Sequence, residues 1–265
     1  MLMLPASLLE LRSRVDGFEW KQAPLSDFRA PLTAGAAYVL LVLILDRIMR
    51  GRAGFEMRYI QALHNLLLSL GSMLLALGTL VEVVRRTSNP GVGHVGDVRW
   101  MFCENPETKP NGALWFMSYL YYLSKYYELL DTVLQLLKGR PPPHFFLNVY
   151  HHAVVLLMAW CWVEYVQSLS FIGLLFNTSV HVVMYYYYFR RVLGWPVWWK
   201  SYVTKFQIVQ FTVSALCYLV TLALLSSGEQ CAGARVLVFN FVFNMTLLYQ
   251  FFGVMRQGRK KTRGD

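Results

Sequence analysis

The 265-residue chain contains few charged residues, and this scarcity excludes most soluble protein classes. Charged residues make up 15% of the sequence, whereas hydrophobic residues make up 56%. Ser/Gly linkers, low-complexity tracts and internal repeats are also missing from the sequence, which favours a single domain. Such a composition is typical of proteins that place most of their surface in lipid. The sequence therefore predicts a polytopic membrane protein.

Apolar runs of membrane-spanning length recur along the chain. About 18 or more predominantly apolar residues are enough to cross a bilayer as a helix. We predict seven spans, at residues 32–48, 59–84, 114–137, 145–166, 168–188, 203–225 and 236–252. Residues 1–31 are then an N-terminal luminal segment, 32–255 the membrane domain and 256–265 a basic cytosolic tail. No cleavable signal peptide is expected, because charged residues follow the first apolar ones and the first long apolar run comes later.

The net charge of +10 is spread over the connections between the spans. A distribution of this kind does not predict a nucleic-acid partner. It is more informative about the orientation of the chain in the membrane. Lys and Arg are more frequent in the connections that face inside when the N-terminus is placed outside. We therefore predict a luminal N-terminus and a cytosolic C-terminus.

Polar side chains within the predicted spans point to a functional site. Asn148, His151 and His152 are related as i, i+3 and i+4, so on a helix they project from one face. His181, on the next span, lies at the same depth, about 10 Å from the cytosolic end at 1.5 Å per residue. Polar groups in a membrane are expensive and usually functional, although a polar cluster that merely ties helices together is an alternative.

Further polar side chains are predicted at a similar depth on other spans. Placing them all around one chamber, open to the cytosol and closed toward the other side, would keep them away from lipid. Lys125 lies somewhat deeper and can pair with Glu128, and this ion pair could serve catalysis or only helix packing. The other residues at this level are His64, Asn65, Glu128, Asp131, Gln207 and Gln210.

Paired histidines in a membrane protein allow metal chemistry or nucleophilic chemistry. A di-iron centre needs many imidazoles, but the chain has six histidines with one adjacent pair, and His94 and His144 fall in loops. A single zinc or iron held by His151, His152, His181 and a carboxylate remains an alternative. A neutral imidazole nucleophile needs neither metal nor cofactor, and we expect none.

Five motif blocks follow one another along the chain: His64-Asn65; Lys125, Glu128, Asp131 and Thr132; Asn148 with His151 and His152; Asn177, His181, Met184 and Tyr185; and Thr204, Gln207, Gln210 and Phe211. Taken together, these blocks resemble the ELO family of very-long-chain fatty acid elongases. A seven-helix receptor or a transporter is the competing interpretation, but a receptor needs no facing histidines, and the spans around the histidines lack the midplane proline typical of transporters.

The resemblance implies both a fold and a reaction. The fold would be all-α, with seven transmembrane helices, of which the second to seventh form a six-helix barrel around an acyl tunnel and the first is peripheral. The enzyme would be a 3-ketoacyl-CoA synthase of the endoplasmic reticulum membrane that condenses a long-chain acyl-CoA with malonyl-CoA. Expected protein partners are the ketoreductase, dehydratase and enoyl reductase of the elongation cycle, and a homodimer is possible.

The resemblance also implies roles for individual residues. His151 would attack the acyl thioester, His152 and Asn148 would orient or polarise it, and His181 would assist malonyl-CoA decarboxylation. Asn148 stands where the family usually has a histidine, and an amide cannot titrate near neutrality. Residues expected to contact or support the substrates are His64, Asn65, Lys125, Glu128, Asp131, Thr132, Asn177, Tyr185, Gln207 and Gln210.

Two of the four cysteines fall in loops that the predicted topology places on the same outer side. Cys103 follows the second span and Cys231 follows the sixth. In the oxidising lumen a disulfide between them would persist, and two unpaired loop cysteines are the alternative. Cys161 and Cys217 fall within spans and are expected to be buried free thiols.

Overall fold

The computed structural model describes residues 6–89 and 96–261, and its regular structure within these ranges is helical. His94 and residues 262–265 of the predicted tail lie outside the described residues. The helices are α1 Ala6–Asp16, α2 Arg29–Met49, α3 Arg58–Thr87, α4 Ala113–Glu128, α5 Leu130–Leu137, α6 Phe145–Glu164, α7 Ser170–Leu193, α8 Lys200–Ser226 and α9 Ala234–Lys261.

Five of these helices can cross a membrane by length and composition, as a multi-pass membrane protein requires. They are α2, α3, α6, α8 and residues Ala234–Arg256 of α9. Helix α7, at 24 residues, is long enough. It carries Asn177, His181 and the four tyrosines at 185–188, which lower its hydropathy below that of the others. The third predicted span, residues 114–137, differs more from expectation.

The helix predicted over residues 114–137 is broken, and a single continuous helix there was wrong. Helix α4 ends at Glu128 and α5 begins at Leu130, and the Leu129 N–H donates to the Tyr126 carbonyl over 3.3 Å. This i to i−3 bond tightens the turn and changes the direction in which later side chains project. Neither proline nor glycine marks the break, so sequence periodicity could not show it.

Six helices form a ring in which each helix packs against its two neighbours. Helix α3 packs against α4 and α7, α4 against α6, α6 against α9, α9 against α8, and α8 against α7. Helix α2 lies outside this ring, against α5 and α6. Buried aromatic side chains such as Tyr121, Tyr122, Trp160 and Trp162 fill much of the interior. The ring leaves a central space that the polar side chains described below share.

The connections at one end of the bundle are tied together, and we call this the disulfide end. Cys103 and Cys231 form a disulfide between the α3–α4 and α8–α9 connections, as the topology predicted. The Ala232 N–H donates to the Glu104 carbonyl over 2.8 Å beside it. The α6–α7 turn joins the same cluster, because the Leu169 N–H donates to the Met101 carbonyl over 3.0 Å. Three connections therefore close this end as one unit.

The N-terminal segment also packs onto the disulfide end. Trp20 is fully buried, with its ring against those of Tyr119 and Tyr122 at 6.1 and 5.8 Å. Its indole N–H donates to Glu164 over 2.8 Å. The segment predicted as residues 1–31 thus contributes a side chain to the interior, which its polar composition did not indicate.

Replacing Trp20 with alanine should destabilise the fold. Removal of a fully buried tryptophan costs about 3–5 kcal/mol, and here it also leaves the Glu164 carboxylate without its indole donor. We expect a clearly lower thermal unfolding midpoint in detergent for Trp20→Ala. Trp198→Ala, whose side chain is 82% exposed, is the matched control and should unfold near the wild-type temperature. Equal midpoints for the two variants would contradict this packing.

Candidate active site

The carboxylate of Asp131, at the start of α5, connects side chains from three other helices. One oxygen lies 2.7 Å from Nε2 of His64 on α3. The other accepts the Tyr185 hydroxyl of α7 over 2.7 Å and lies 3.8 Å from Nε2 of His152 on α6. These contacts join residues that are far apart in the sequence. Asp131 therefore orients a histidine and a tyrosine directly and stands next to a second histidine.

Glu128, on the other side of the helix break, belongs to a second polar group. Its carboxylate accepts a 2.7 Å hydrogen bond from Nζ of Lys125 and lies 3.5 Å from Nδ1 of His181. Lys125 also donates to Oδ1 of Asn177 over 3.1 Å and lies 4.1 Å from the centre of the Tyr121 ring. Lys125 and Glu128 are each only 1% exposed, so each charge needs the other as its partner.

The two adjacent histidines face different surroundings. The ring of His152 points toward Asp131, whereas the ring of His151 lies parallel to Phe243 at 6.0 Å and lines a cavity. The two imidazoles meet edge to face at 5.3 Å. The Nδ1 atoms of both rings are buried without a hydrogen-bond partner among the described residues. His151 is thus the member of the pair that a molecule inside the cavity would meet.

The cavity is elongated and is lined mostly by apolar side chains. It extends from His151 along α6 to Trp162, about 16 Å at 1.5 Å per residue, toward the disulfide end. Leu169, in the closed turn described above, also lines it. The lining residues are Tyr121, His151, Val155, Met158, Trp162, Leu169, Ile172, Gly173, Phe176, Asn177, Gln210, Phe211, Ser214, Cys217, Asn240, Phe243, Asn244 and Leu247.

Some predicted site residues lie away from this cavity. The Asn148 amide nitrogen is 3.4 Å from the carbonyls of Pro143 and His144 at the start of α6, so it does not join the histidines. Asn65 donates to the Gln61 carbonyl of its own helix over 2.7 Å. A helical asparagine can donate to the backbone carbonyl four residues earlier, and both Asn65 and Asn148 do so instead of facing the histidines.

Two further predicted residues from the fifth block behave differently from each other. Gln210 lines the cavity, as the chamber hypothesis required. The Gln207 amide instead lies 3.4 Å from the sulfur of Met184. The sequence arguments missed Asn240 and Asn244, which line the cavity from α9. The rule applied to His151 could have found them, because both are polar residues in an apolar span, four positions apart.

Comparison with known proteins decides the family. Residues 23–261 match the family model for ELO, described as the GNS1/SUR4 family. The chain belongs to the ELO family. It is 33% identical to a putative fatty acid elongase of Dictyostelium discoideum, over 89% of this chain and 78% of the relative. It is 29% identical to very long chain fatty acid elongase 2 of Rattus norvegicus, over 89% and 82% respectively.

The basic residue Arg190 packs against aromatic rings in this ELO chain. The Arg190 guanidinium lies over the rings of Tyr186, Trp195 and Trp199, at 6.0, 5.5 and 5.3 Å from their centres. Cation–π contacts of this kind anchor the α7–α8 connection. Arg191 and Lys200 are exposed at the same end of the bundle and remain available to an anion.

Helix α2, outside the ring, reaches the site through Tyr38. This side chain is 3% exposed, and its hydroxyl is 2.7 Å from the Thr132 hydroxyl on α5. Its ring meets that of His152 edge to face at 6.3 Å. Thr132 belongs to the same motif block as Lys125 and Glu128, but it lies beyond the helix break and contacts α2 instead. Tyr38 therefore packs against His152 and holds the residue that follows Asp131.

Removing the Tyr38 hydroxyl should slow the reaction with little effect on folding. Tyr38→Phe keeps the ring against His152 but leaves Thr132 without its partner, a loss of about 1 kcal/mol. We expect kcat to fall about fivefold, with KM nearly unchanged, because the misplaced groups act in the reaction and not in substrate capture. Tyr249→Phe, 82% exposed, is the control. A change in unfolding midpoint with no change in kcat would show a purely structural role.

The donor groups do not form a metal-binding arrangement within the part of the chain that the structure describes. In those residues there is no group of three or more His, Cys, Asp or Glu side chains that could hold a metal ion. Asp131 and Glu128 each contact histidines, but they do so in two separate groups.

Proposed function

We propose that this chain is the condensing enzyme of fatty acid elongation, a very-long-chain 3-oxoacyl-CoA synthase. It joins a long-chain acyl-CoA with malonyl-CoA to give a 3-ketoacyl-CoA two carbons longer. The main support is the position of His151, which lines an elongated, mostly apolar cavity beside two carboxylate–histidine groups. Membership of a family whose relatives are named fatty acid elongases supports the same reaction.

The shape of the cavity suggests how the acyl chain is held. Its apolar wall between His151 and Trp162 accepts an alkyl chain, because burying such a chain removes apolar surface from water. The disulfide end is closed by three joined connections, so the terminal methyl group points there and CoA remains at the opposite end. Arg191 and Lys200, exposed at that opposite end, are available to the CoA phosphates.

The first half-reaction is acyl transfer to His151. An imidazole nitrogen attacks the thioester carbonyl carbon, the C–S bond breaks, and CoA leaves and takes up a proton as its thiol. His152, next to the Asp131 carboxylate, polarises the carbonyl oxygen as negative charge develops there. Asn148 has no role in this proposal, because its amide faces backbone carbonyls at the start of α6.

The second half-reaction uses malonyl-CoA. Its C–CO₂ bond breaks, and the electron pair forms an enolate that attacks the acyl carbon. The bond from that carbon to His151 then breaks and restores the neutral imidazole. His181 and Lys125, both grouped with Glu128, are placed to stabilise the enolate. The complete reaction consumes one proton and releases CO₂ and CoA, and it needs no metal or cofactor.

The membrane arrangement that we propose has seven crossings, a luminal N-terminus and a cytosolic C-terminus in the endoplasmic reticulum. The ring of helices would form a six-helix barrel with α2 peripheral, and the contacts between helices support this. The disulfide supports an oxidising compartment on its side. A 3-ketoacyl product must be reduced, dehydrated and reduced again, so a ketoreductase, a dehydratase and an enoyl reductase would act next. A homodimer is a further hypothesis.

Fatty acid profiling of elongase-deficient cells tests the proposed function. Expression of the wild-type chain should produce acids two carbons longer than those supplied, and cells carrying an empty vector should not produce them. Expression of the protein in the membrane must be verified by immunoblot in both the wild type and an inactive variant. Correctly inserted protein that yields no extended acid from saturated or unsaturated acids would reject the function.

A further inference from the structure

Two amide side chains stand in a cavity whose wall is otherwise largely apolar. Asn240 and Asn244 lie one turn apart on α9, are 6% and 9% exposed, and line the same cavity as His151. A buried amide is unfavourable unless its hydrogen-bonding groups find partners. An alkyl chain lying against these amides would offer none. The pair therefore has to be explained by its internal hydrogen bonds or by the molecule that enters the cavity.

The internal hydrogen bonds satisfy only part of the pair. The Asn244 amide nitrogen donates to the backbone carbonyl of Asn240 over 2.8 Å and to its side-chain Oδ1 over 2.6 Å. Because Asn240 Oδ1 accepts one of these hydrogen bonds, the Asn240 side chain is oriented with Oδ1 toward Asn244 and Nδ2 away from it. Among the residues that the structure describes, none accepts a hydrogen bond from Asn240 Nδ2. This donor is held in place without a partner.

The depth of Asn240 relative to His151 follows from Phe243. Phe243 stacks on the His151 ring, and Asn240 precedes it by three residues, about 4.5 Å along the helix axis. Helix α9 begins at the disulfide end, so Asn240 lies deeper in the cavity than His151. An extended chain advances about 1.2 Å per bond, as three backbone bonds span about 3.5 Å. Asn240 is then level with about the fifth carbon of an acyl chain attached to His151.

We propose that Asn240 determines substrate specificity by donating Nδ2–H to the π electrons of a carbon–carbon double bond near carbon 5 of the acyl chain. This inference rests on the proposed condensation at His151. A saturated chain would cover the donor and leave it desolvated without an acceptor, which opposes binding. The preferred substrates are therefore unsaturated acyl-CoAs whose double bond nearest the carboxyl end lies at this depth.

The reacting carbonyl is a poorer partner for this donor. Asn244 is the amide closer to the level of the His151 ring, and both its N–H groups are already directed to oxygens of Asn240. Asn240 lies three residues nearer to the start of α9 than Phe243, which stacks on His151. Its Nδ2 is therefore deeper in the cavity than the point at which the thioester carbon must meet the imidazole. The geometry thus places the free donor beside the chain and not beside the reacting atoms.

A positional series of substrates tests the proposal on the wild-type protein. Saturated C18 acyl-CoA is made to compete with C18 acyl-CoAs that carry one cis double bond at carbon 5, 9 or 11, with labelled malonyl-CoA as the second substrate. We expect the carbon-5 isomer to be favoured about fivefold in kcat/KM, the effect of one unsatisfied buried donor. Equal use of all four, or preference for carbon 9 or 11, would overturn the proposal. Absence of product from every substrate would instead reject the condensing function.

Asn240→Leu identifies the residue responsible. Leucine has similar volume and lacks the donor, so the fivefold preference should fall to about one, mainly through faster use of the saturated chain. Val242→Leu, on the same helix with Val242 53% exposed, is the control and should keep the wild-type ratio. A folded Asn240→Leu variant that keeps the preference would overturn the assignment. The wild-type series remains decisive if the variant does not fold.

Discussion

His151→Ala is expected to abolish condensation while leaving the helical bundle folded. His151 lines the cavity, and its Nδ1 has no partner among the described residues, so its removal breaks no hydrogen bond of the fold. Loss of a nucleophile lowers kcat by many orders of magnitude in other covalent catalysts, and we expect a loss of at least about 10³-fold. Purified protein, labelled malonyl-CoA and a thermal unfolding scan provide the measurement.

A second histidine provides the control for this substitution. His144 lies before α6 with a backbone φ of 64°, a conformation that asparagine tolerates, so His144→Asn removes an imidazole outside the cavity. This variant should retain activity. A His151→Ala variant that keeps more than a tenth of wild-type kcat would exclude His151 as the nucleophile.

The half-reaction separates the covalent route from direct condensation. Wild-type protein incubated with acyl-CoA alone should release CoA in proportion to enzyme and retain the acyl group, whereas His151→Ala should release none. Mass spectrometry of the protein would locate the acyl group. An active wild type that releases no CoA before malonyl-CoA is added would contradict the acyl-imidazole intermediate.

Asp131→Asn should lower kcat by about 10²-fold. Asparagine keeps one oxygen acceptor but presents an NH₂ group where Asp131 receives the Tyr185 hydroxyl or meets His64. The same exchange beside a catalytic histidine can cost about 10⁴-fold, and the longer 3.8 Å contact with His152 argues for a smaller effect here. Steady-state kinetics should show the loss in kcat with KM changed much less.

An acidic residue away from the site distinguishes this effect from a loss of charge. Asp46 pairs with Arg50 on α2, and its exchange for asparagine changes the same charge without touching the histidines. Asp46→Asn should leave kcat near the wild-type value. If Asp131→Asn retains more than half of wild-type kcat, the carboxylate does not orient catalytic groups.

Much of the fold could be predicted from composition and periodicity alone. Apolar runs predicted the positions of α2, α3, α6 and α8 closely, because lipid exposure requires continuous apolar stretches. The break at Leu129 could not be predicted, because neither proline nor glycine marks it and the histidines that Glu128 and Asp131 contact on either side of it are distant in sequence. Hydrophobic periodicity assumes a continuous helix and carries no information about these tertiary contacts.

The site was predictable where a side chain has no local alternative. His151, His152 and His181 lie within helices whose backbone groups are already bonded, so they turn toward the interior or toward carboxylates. Asn148 lies in the first turn of α6, where the carbonyls of Pro143 and His144 are within reach of its amide nitrogen. A helical wheel places Asn148 on the same face as His151 and His152. Only the position of nearby backbone carbonyls shows that the asparagine side chain has a different partner.

The joined connections at the disulfide end fix the length of the cavity. His151 marks one end, and Leu169 marks the other, in a turn bonded to Met101 and next to the loops that Cys103 and Cys231 link. A cavity whose closing loops are bonded to one another does not lengthen through the motion of a single loop. Under the proposed function, we therefore expect the length of the accepted acyl chain to depend on the bulk of wall residues such as Trp162.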